Sequence, residues 1–440
     1  MRKRKNLLVF LAAVLGLAML AGCGGQKQTG QAPQGGSGDK EQDVELRLAS
    51  WRVEEIEAFK KLNEEFNKEY PNIKIKYEPV KATEYDSLLS MALSTNTAAD
   101  LMYIRPFDRG LNLFESGNLV ELSEKDVPNL KNIPDSQMRV YRTPDGKIYA
   151  LPYIHVSYGF LYNKKIFDKY GLKEPETWDE FFALLDTLKK NGVTPLALGT
   201  KDAWVVSEVI SNPNYVNFLG GEDWHQALLK GEKKFTDPGF VGYLEQLARL
   251  KDYMPKDYKA IGYTEAQQLF LTEKAAIFPA GSWEIGFFKS QNPNLEMGLF
   301  TSPVVKKGDK RWLGFNGGAG IGVNKNSKHI KEAMIYVNWL GGEKAQVLTG
   351  NLMAGLFPCA SINTGELTDP LAKEFIDAAG PKGENFAVGW SLEQISKQEP
   401  SANTLAMENI TRLLNGELSP REAAANIQNG LAGWYAPFKQ

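Results

Sequence analysis

From Val44 onward the chain alternates short apolar strands with amphipathic helices, and that alternation restricts the fold more than any overall composition could. Val44-Glu45-Leu46-Arg47-Leu48 puts an apolar residue at every second position, the period of a half-buried strand. Glu54 to Tyr70 switches to helical spacing. Ile56, Phe59, Leu62 and Phe66 share one face, Glu54 and Glu55 fall in the first turn, and Pro71 stops the helix. Ile73-Lys74-Ile75-Lys76-Tyr77 alternates again, Tyr85 to Leu93 reads as a helix, and Leu101-Met102-Tyr103-Ile104 as a short strand. A β-α-β-α-β order predicts a parallel, helix-covered sheet.

A second set of such units begins after Tyr149-Ala150-Leu151-Pro152. Gly159 to Tyr162 is strand-like, and Thr177-Trp178-Asp179-Glu180 has the form of a capping box. The helix it opens carries Phe181, Leu184, Leu185 and Leu188 on one face and ends at Asn191-Gly192. Pro195 to Leu198 and Ala275 to Phe278 read as strands; Val241 to Tyr253, Ala402 to Leu414 and a last segment capped by Ser419-Pro420 read as helices. Two α/β lobes imply two crevices at strand ends, and two facing crevices make a cleft that can close.

The N-terminus carries a different signal. Arg2-Lys3-Arg4-Lys5 precedes an apolar run from Leu7 to Ala21, followed by Gly22-Cys23. A basic start, a run too short to span a bilayer and a small-residue exit mark residues 1–22 as a secretory signal. Leu20-Ala21-Gly22-Cys23 resembles the lipobox of bacterial lipoproteins, in which the cysteine sulfur receives a diacylglycerol. Two long acyl chains suffice for stable anchoring. Residues 23–43 then hold the lipidated Cys23 and a Gly- and Gln-rich flexible tether, whose reach is on the order of 25 Å. Cys359, the second of two cysteines, is left without a partner and reads as a small buried hydrophobe. With 51 basic and 53 acidic residues, the balance lacks the basic surplus of a nucleic-acid binder.

Catalytic patterns are missing. Gly146-Lys147 is followed by Ile148, so there is no Walker loop, and Gly317-Gly318-Ala319-Gly320-Ile321-Gly322 fails the dinucleotide spacing. There is no G-x-S-x-G elbow, and His155, His225 and His329 stand far apart. Paired carboxylates of the glycosidase kind have no local mark among the acidic residues.

The better signal is aromatic residues just beyond strand ends, beside polar groups. Trp51-Arg52 follows the first strand, and Arg105-Pro106-Phe107-Asp108-Arg109 the one ending at Ile104. Asp202-Ala203-Trp204 and Gly281-Ser282-Trp283-Glu284 stand in the same place in the second set. A flat ring gives the C–H face of a sugar an apolar platform, while carboxylates, amides and guanidinium groups meet its hydroxyls. Trp178 opens a helix and is expected to be structural, as are Trp224, Trp312, Trp339 and Trp434.

These motifs, taken in order, resemble family 1 of the extracellular solute-binding proteins of ABC importers, the maltose- and oligosaccharide-binding type. The resemblance runs from the lipobox through Ser50-Trp51, Ala99-Asp100-Leu101, Gly146 to Tyr153, Leu161-Tyr162-Asn163-Lys164 and Glu176 to Phe181. It continues in Ala280-Gly281-Ser282-Trp283, Gly317 to Val323 and the helix Glu332 to Leu340. It implies an α/β, two-lobed type II periplasmic-binding-protein fold with an interlobe ligand cleft. The implied N-terminal lobe is 44–155 plus 303–345, and the C-terminal lobe 156–302 plus 346–440. Crossings are expected near Tyr153–Tyr158, near Leu299–Val304 and within Gly342–Gly355. The implied function is capture of an oligosaccharide by a monomeric, lipid-anchored protein on the outer face of the cell membrane of a Gram-positive cell, for delivery to ABC permease transmembrane subunits. No catalysis, cofactor or metal is expected. The ligand set implied is Trp51, Arg52, Arg105, Asp108, Tyr158, Asp202, Trp204, Trp283, Gly317, Gly318, Trp390 and Asn403. A non-sugar ligand such as glycerol phosphate or a polyol, or a cell-surface glycosidase, would be the alternative.

Overall fold

The computed structural model describes residues 43–370, 373, 386–388 and 391–439. The signal, Cys23, the tether up to Gln42 and Trp390 lie outside the described residues. Strand β1 (Val44–Ser50) pairs in parallel with β2 (Ile73–Pro79) and β3 (Leu101–Ile104), as the alternation predicts. The helix between β1 and β2 runs Ile56–Glu69 and buries Ala58, Phe59, Leu62 and Phe66. Ile56, expected on that face, is instead 50% exposed at the first position of the helix, directly after a 3-10 turn at Val53–Glu55.

Beyond β3 the sheet mixes parallel and antiparallel pairs, and the parallel expectation holds only in part. Strand β4 (Leu151–Asn163) is thirteen residues long and wholly buried. Its first half pairs antiparallel with β8 (Leu313–Val323), its second half with β6 (Ala275–Gly281) and β7 (Met297–Phe300). Strand β5 (Thr194–Leu196) adds to β6 in parallel, β9 (Phe357–Pro358) adds to β4, and β10 (Phe386–Val388) to β8. The path β2-β1-β3-β8-β4-β6-β5 is therefore one mixed sheet through both lobes.

The glycines that looked like a loop are the interior of β8. A Cβ at Gly320 would come within 3.0 Å of Tyr141 and Ala150, and one at Gly322 within 3.0 Å of Ile104 and Leu119. At these two positions the strand lies against packed side chains, where a residue larger than Gly does not fit.

Two apolar cores result. The first gathers side chains from Val44 to Val156 and from Ala319 to Ala360, the second from Phe160 to Phe300 and from Leu392 to Phe438. A smaller cluster around Phe270, Phe278 and Phe288 flanks the second core. The polypeptide passes between the cores inside β4 and again inside β8; Trp312 still packs on the second core. Met353, Leu356, Cys359 and Ala360, downstream of residue 346, lie in the first core. The capping boxes expected at Thr177 and Ser419 are formed, opening helices Trp178–Lys190 and Pro420–Ala432. Among the described residues no helix is long and apolar enough to cross a membrane.

Candidate ligand-binding site

The four aromatic segments stand at strand ends, two on each lobe. On the first lobe, Trp51 is only 6% exposed. Its ring meets Tyr85 and Tyr103 edge-on at centroid distances of 5.3 and 5.2 Å, and the Arg105 guanidinium lies 4.3 Å from its centroid. Arg52 does not project freely. Its guanidinium pairs with the buried Glu55 and, at 3.0 Å, with Glu54. Glu55 also accepts from the Tyr103 hydroxyl at 2.7 Å and the Tyr77 hydroxyl at 3.2 Å. Burial raises the Glu55 carboxyl above the usual range, against the pull of Arg52.

Arg105 donates to both Asp86 oxygens, at 3.1 and 3.2 Å, and Arg109 reaches the same carboxylate at 3.0 Å. Between them Phe107 takes φ 60° and ψ −141°, a left-handed conformation that costs a bulky residue energy. The turn is held there because the Phe107 amide donates to the Val140 carbonyl at 3.0 Å and the Tyr149 hydroxyl to the Phe107 carbonyl at 3.2 Å. Asp108 opens helix Asp108–Glu115; burial raises its carboxyl, while the charge of Lys397, from the other lobe, opposes the rise. Gly317 and Gly318 serve close packing: a Cβ at Gly317 would lie 2.9 Å from the Tyr141 hydroxyl and 3.1 Å from Pro106, and one at Gly318 3.0 Å from Val156.

The second lobe is built differently. Trp204 and Trp283 are each partly exposed. Trp204 packs on Tyr263 at 4.8 Å. Trp283 packs against both cores at once, and its ring meets Tyr158 of the crossing strand edge-on at 5.4 Å. Ser282 docks this loop onto β4: its amide donates to the Ser157 carbonyl at 2.7 Å and its hydroxyl accepts from the Ser157 amide at 3.1 Å. Asp202 spends an oxygen on capping helix Tyr263–Leu271, accepting from the Tyr263 amide at 2.7 Å. Asn403 donates its amide to Ser396 at 3.0 Å and leaves a buried side-chain oxygen without a partner.

The walls face each other electrostatically. Glu208 lies in a π-helix, Val205–Ser211, directly after Trp204; such helices recur at functional sites. Burial raises its carboxyl against the charges of Arg109 and Arg105 on the first lobe. Burial likewise raises Glu284, opposed by hydrogen bonds from Tyr263 and Gln267 and by the charge of Arg52. Asn316 of β8 donates to the Tyr158 hydroxyl at 3.1 Å, while its buried side-chain oxygen has no partner. Sequence reasoning did not select Glu208, Tyr263, Gln267 or Asn316. The one available signal was adjacency, since Asn316 precedes Gly317.

Two α/β cores joined by continuous strands, with ring-bearing loops on their facing ends, define a two-lobed binding fold. The chain matches the sequence profile of the bacterial extracellular solute-binding proteins over residues 51–347, well over half its length, and belongs to that family. An uncharacterized ABC transporter extracellular-binding protein of Pyrococcus horikoshii is 28% identical over 83% of this chain and 84% of its own. The multiple sugar-binding protein of Streptococcus mutans is 27% identical over 76% of this chain and 78% of its own. A sugar transporter structure from Bacillus licheniformis in complex with stachyose superposes with a TM-score of 0.62, at 20% identity, over 88% of this chain and 99% of that one.

Proposed function

We propose that this protein captures an oligosaccharide between its lobes and delivers it to the transmembrane subunits of an ABC permease. The observation that carries this reading is Trp283: a partly exposed indole packed against both cores, with a second indole, Trp204, on the same wall. The names of the Streptococcus mutans and Bacillus licheniformis relatives support a sugar as the solute. A phosphate ester is a poorer match, because the positive charges of Arg105 and Arg109 are both offset by Asp86. The proposed ligand contacts are Trp283, Trp204, Tyr158, Arg105, Asp108 and Asn403. Trp51, Arg52, Asp202, Gly317 and Gly318 shape the walls behind them.

The lobes we propose follow the two cores, 44–156 with 319–360 and 160–300 with 392–438, in place of bounds at 303–345 and 346–440. Lipid on Cys23 would hold a monomer at the outer face of the membrane. Sugar contacts to both lobes favour the closed form by as much as its affinity for closed exceeds that for open. A thermal-shift screen over a glycan library tests the reading. A sugar at 100 times its dissociation constant adds about 2.7 kcal/mol of stability. A flat response to every glycan, with a shift for a phosphate ester or polyol, would reject it.

A further inference from the structure

Trp283 is held by a chain of hydrogen bonds that reaches into the second lobe. Its indole N–H donates to the Tyr263 hydroxyl at 3.1 Å. That hydroxyl donates in turn to Glu284 Oε1 at 2.8 Å, and Gln267 donates to Glu284 Oε2 at 2.8 Å. Glu284 is only 4% exposed, so neither carboxylate oxygen is open to solvent or ligand. The Tyr263 ring is fixed from two further sides. Trp204 lies against it, and Phe278 of the flanking cluster sits 5.5 Å away. Its backbone amide is tied to Asp202. Gly281 completes the arrangement: the Trp283 ring folds back over it so closely that any side chain there would strike the indole.

We infer that Tyr263, locked by Glu284, is the positioning residue of the sugar platform: it fixes the plane of Trp283 and supports that of Trp204. This deepens the oligosaccharide reading and rests on it for the meaning of the platform. The indole N–H is the only hydrogen-bond donor on a tryptophan side chain. With that donor committed to Tyr263, Trp283 reads a ligand by ring face alone. It discriminates by which C–H face a sugar presents, and not by hydroxyl acceptors. A ring held in one plane also loses little freedom on binding, which favours affinity.

The test uses the full chain and three variants. Tyr263→Phe keeps the ring and its packing but removes the hydroxyl. Glu284→Gln keeps an acceptor oxygen for Tyr263, and the Gln267 amide can turn to meet the new amide. Glu284→Leu keeps bulk without an acceptor. In sugar-free protein labelled with nitrogen-15, one of the nine indole N–H resonances, assigned to Trp283 by loss in Trp283→Phe, should move upfield in Tyr263→Phe and Glu284→Leu. Glu284→Gln should leave it near its wild-type position, and the Trp204 resonance should stay in place throughout. Affinity for stachyose should fall about five- to tenfold in Tyr263→Phe and Glu284→Leu, and much less in Glu284→Gln. An unmoved Trp283 resonance in Tyr263→Phe would overturn the proposal. So would equal damage from Glu284→Gln and Glu284→Leu. The resonances are read without sugar, so a wild-type chain that ignores every glycan counts against the sugar reading and not against this one.

Discussion

The two walls of the site use the same residue type to opposite ends. On the first lobe the tryptophan is buried: Trp51 is enclosed by Tyr85, Tyr103 and the Arg105 guanidinium, above a buried Arg52–Glu55 pair. On the second lobe Trp204 and Trp283 keep part of their surface open, held from behind by Tyr263. An indole placed after a strand can thus be a keystone or a platform. Which it becomes depends on whether its neighbours cover both faces or only one. In the proposed site the first wall offers a ligand polar groups, those of Arg105 and Asp108, and the second offers rings.

Substitutions can break this contrast or sharpen it. Trp51→Ala should give the largest effect, a loss of about 3–5 kcal/mol of folding stability in a denaturant melt, as for truncating a buried aromatic. Any sugar affinity of the surviving fold should change far less. If stability held and affinity collapsed, the two walls would be alike. Trp283→Ala should do the reverse, weakening sugar binding by about 1–3 kcal/mol in calorimetry, by analogy with aromatic platforms on which nucleobases stack.

Glu208→Gln should raise the melting temperature at pH 7. Its carboxyl is raised by burial, so the folded protein holds a proton that the unfolded chain has lost, and stability falls as pH rises through that window. Removing the charge removes the penalty at neutral pH. The gain should vanish below the ordinary carboxylate value of about 4.3. Smallest of all, Asp86→Asn should cost less than about 1 kcal/mol, because its pairs with Arg105 and Arg109 are half open to water. A larger loss would show that the charged wall is as tightly built as the core behind it.

Periodicity made the first three strands, their parallel pairing and the capped helices legible in the sequence. It could not show β8, because the glycines of Leu313–Val323 carry no alternating pattern; their reason is close approach to Tyr141, Ile104 and Leu119, side chains distant in sequence. Nor could it show that β4 runs unbroken from one lobe into the other, since every residue of the strand is buried and none marks the passage. At the site, ring-bearing loops were readable because they follow strands. The supports were not: Tyr263 and Gln267 sit on an ordinary amphipathic helix, and Glu208 lies in an apolar run. What selects them is proximity in three dimensions.

The ladder linking β4 to β8 has a consequence for how the whole molecule fails. Its two strands are hydrogen-bonded to each other where they leave one core for the other, so the halves are not beads on a string. Neither can melt while the other keeps an intact ladder. Heating should therefore give a single sharp transition, in which damage to either half lowers the same midpoint.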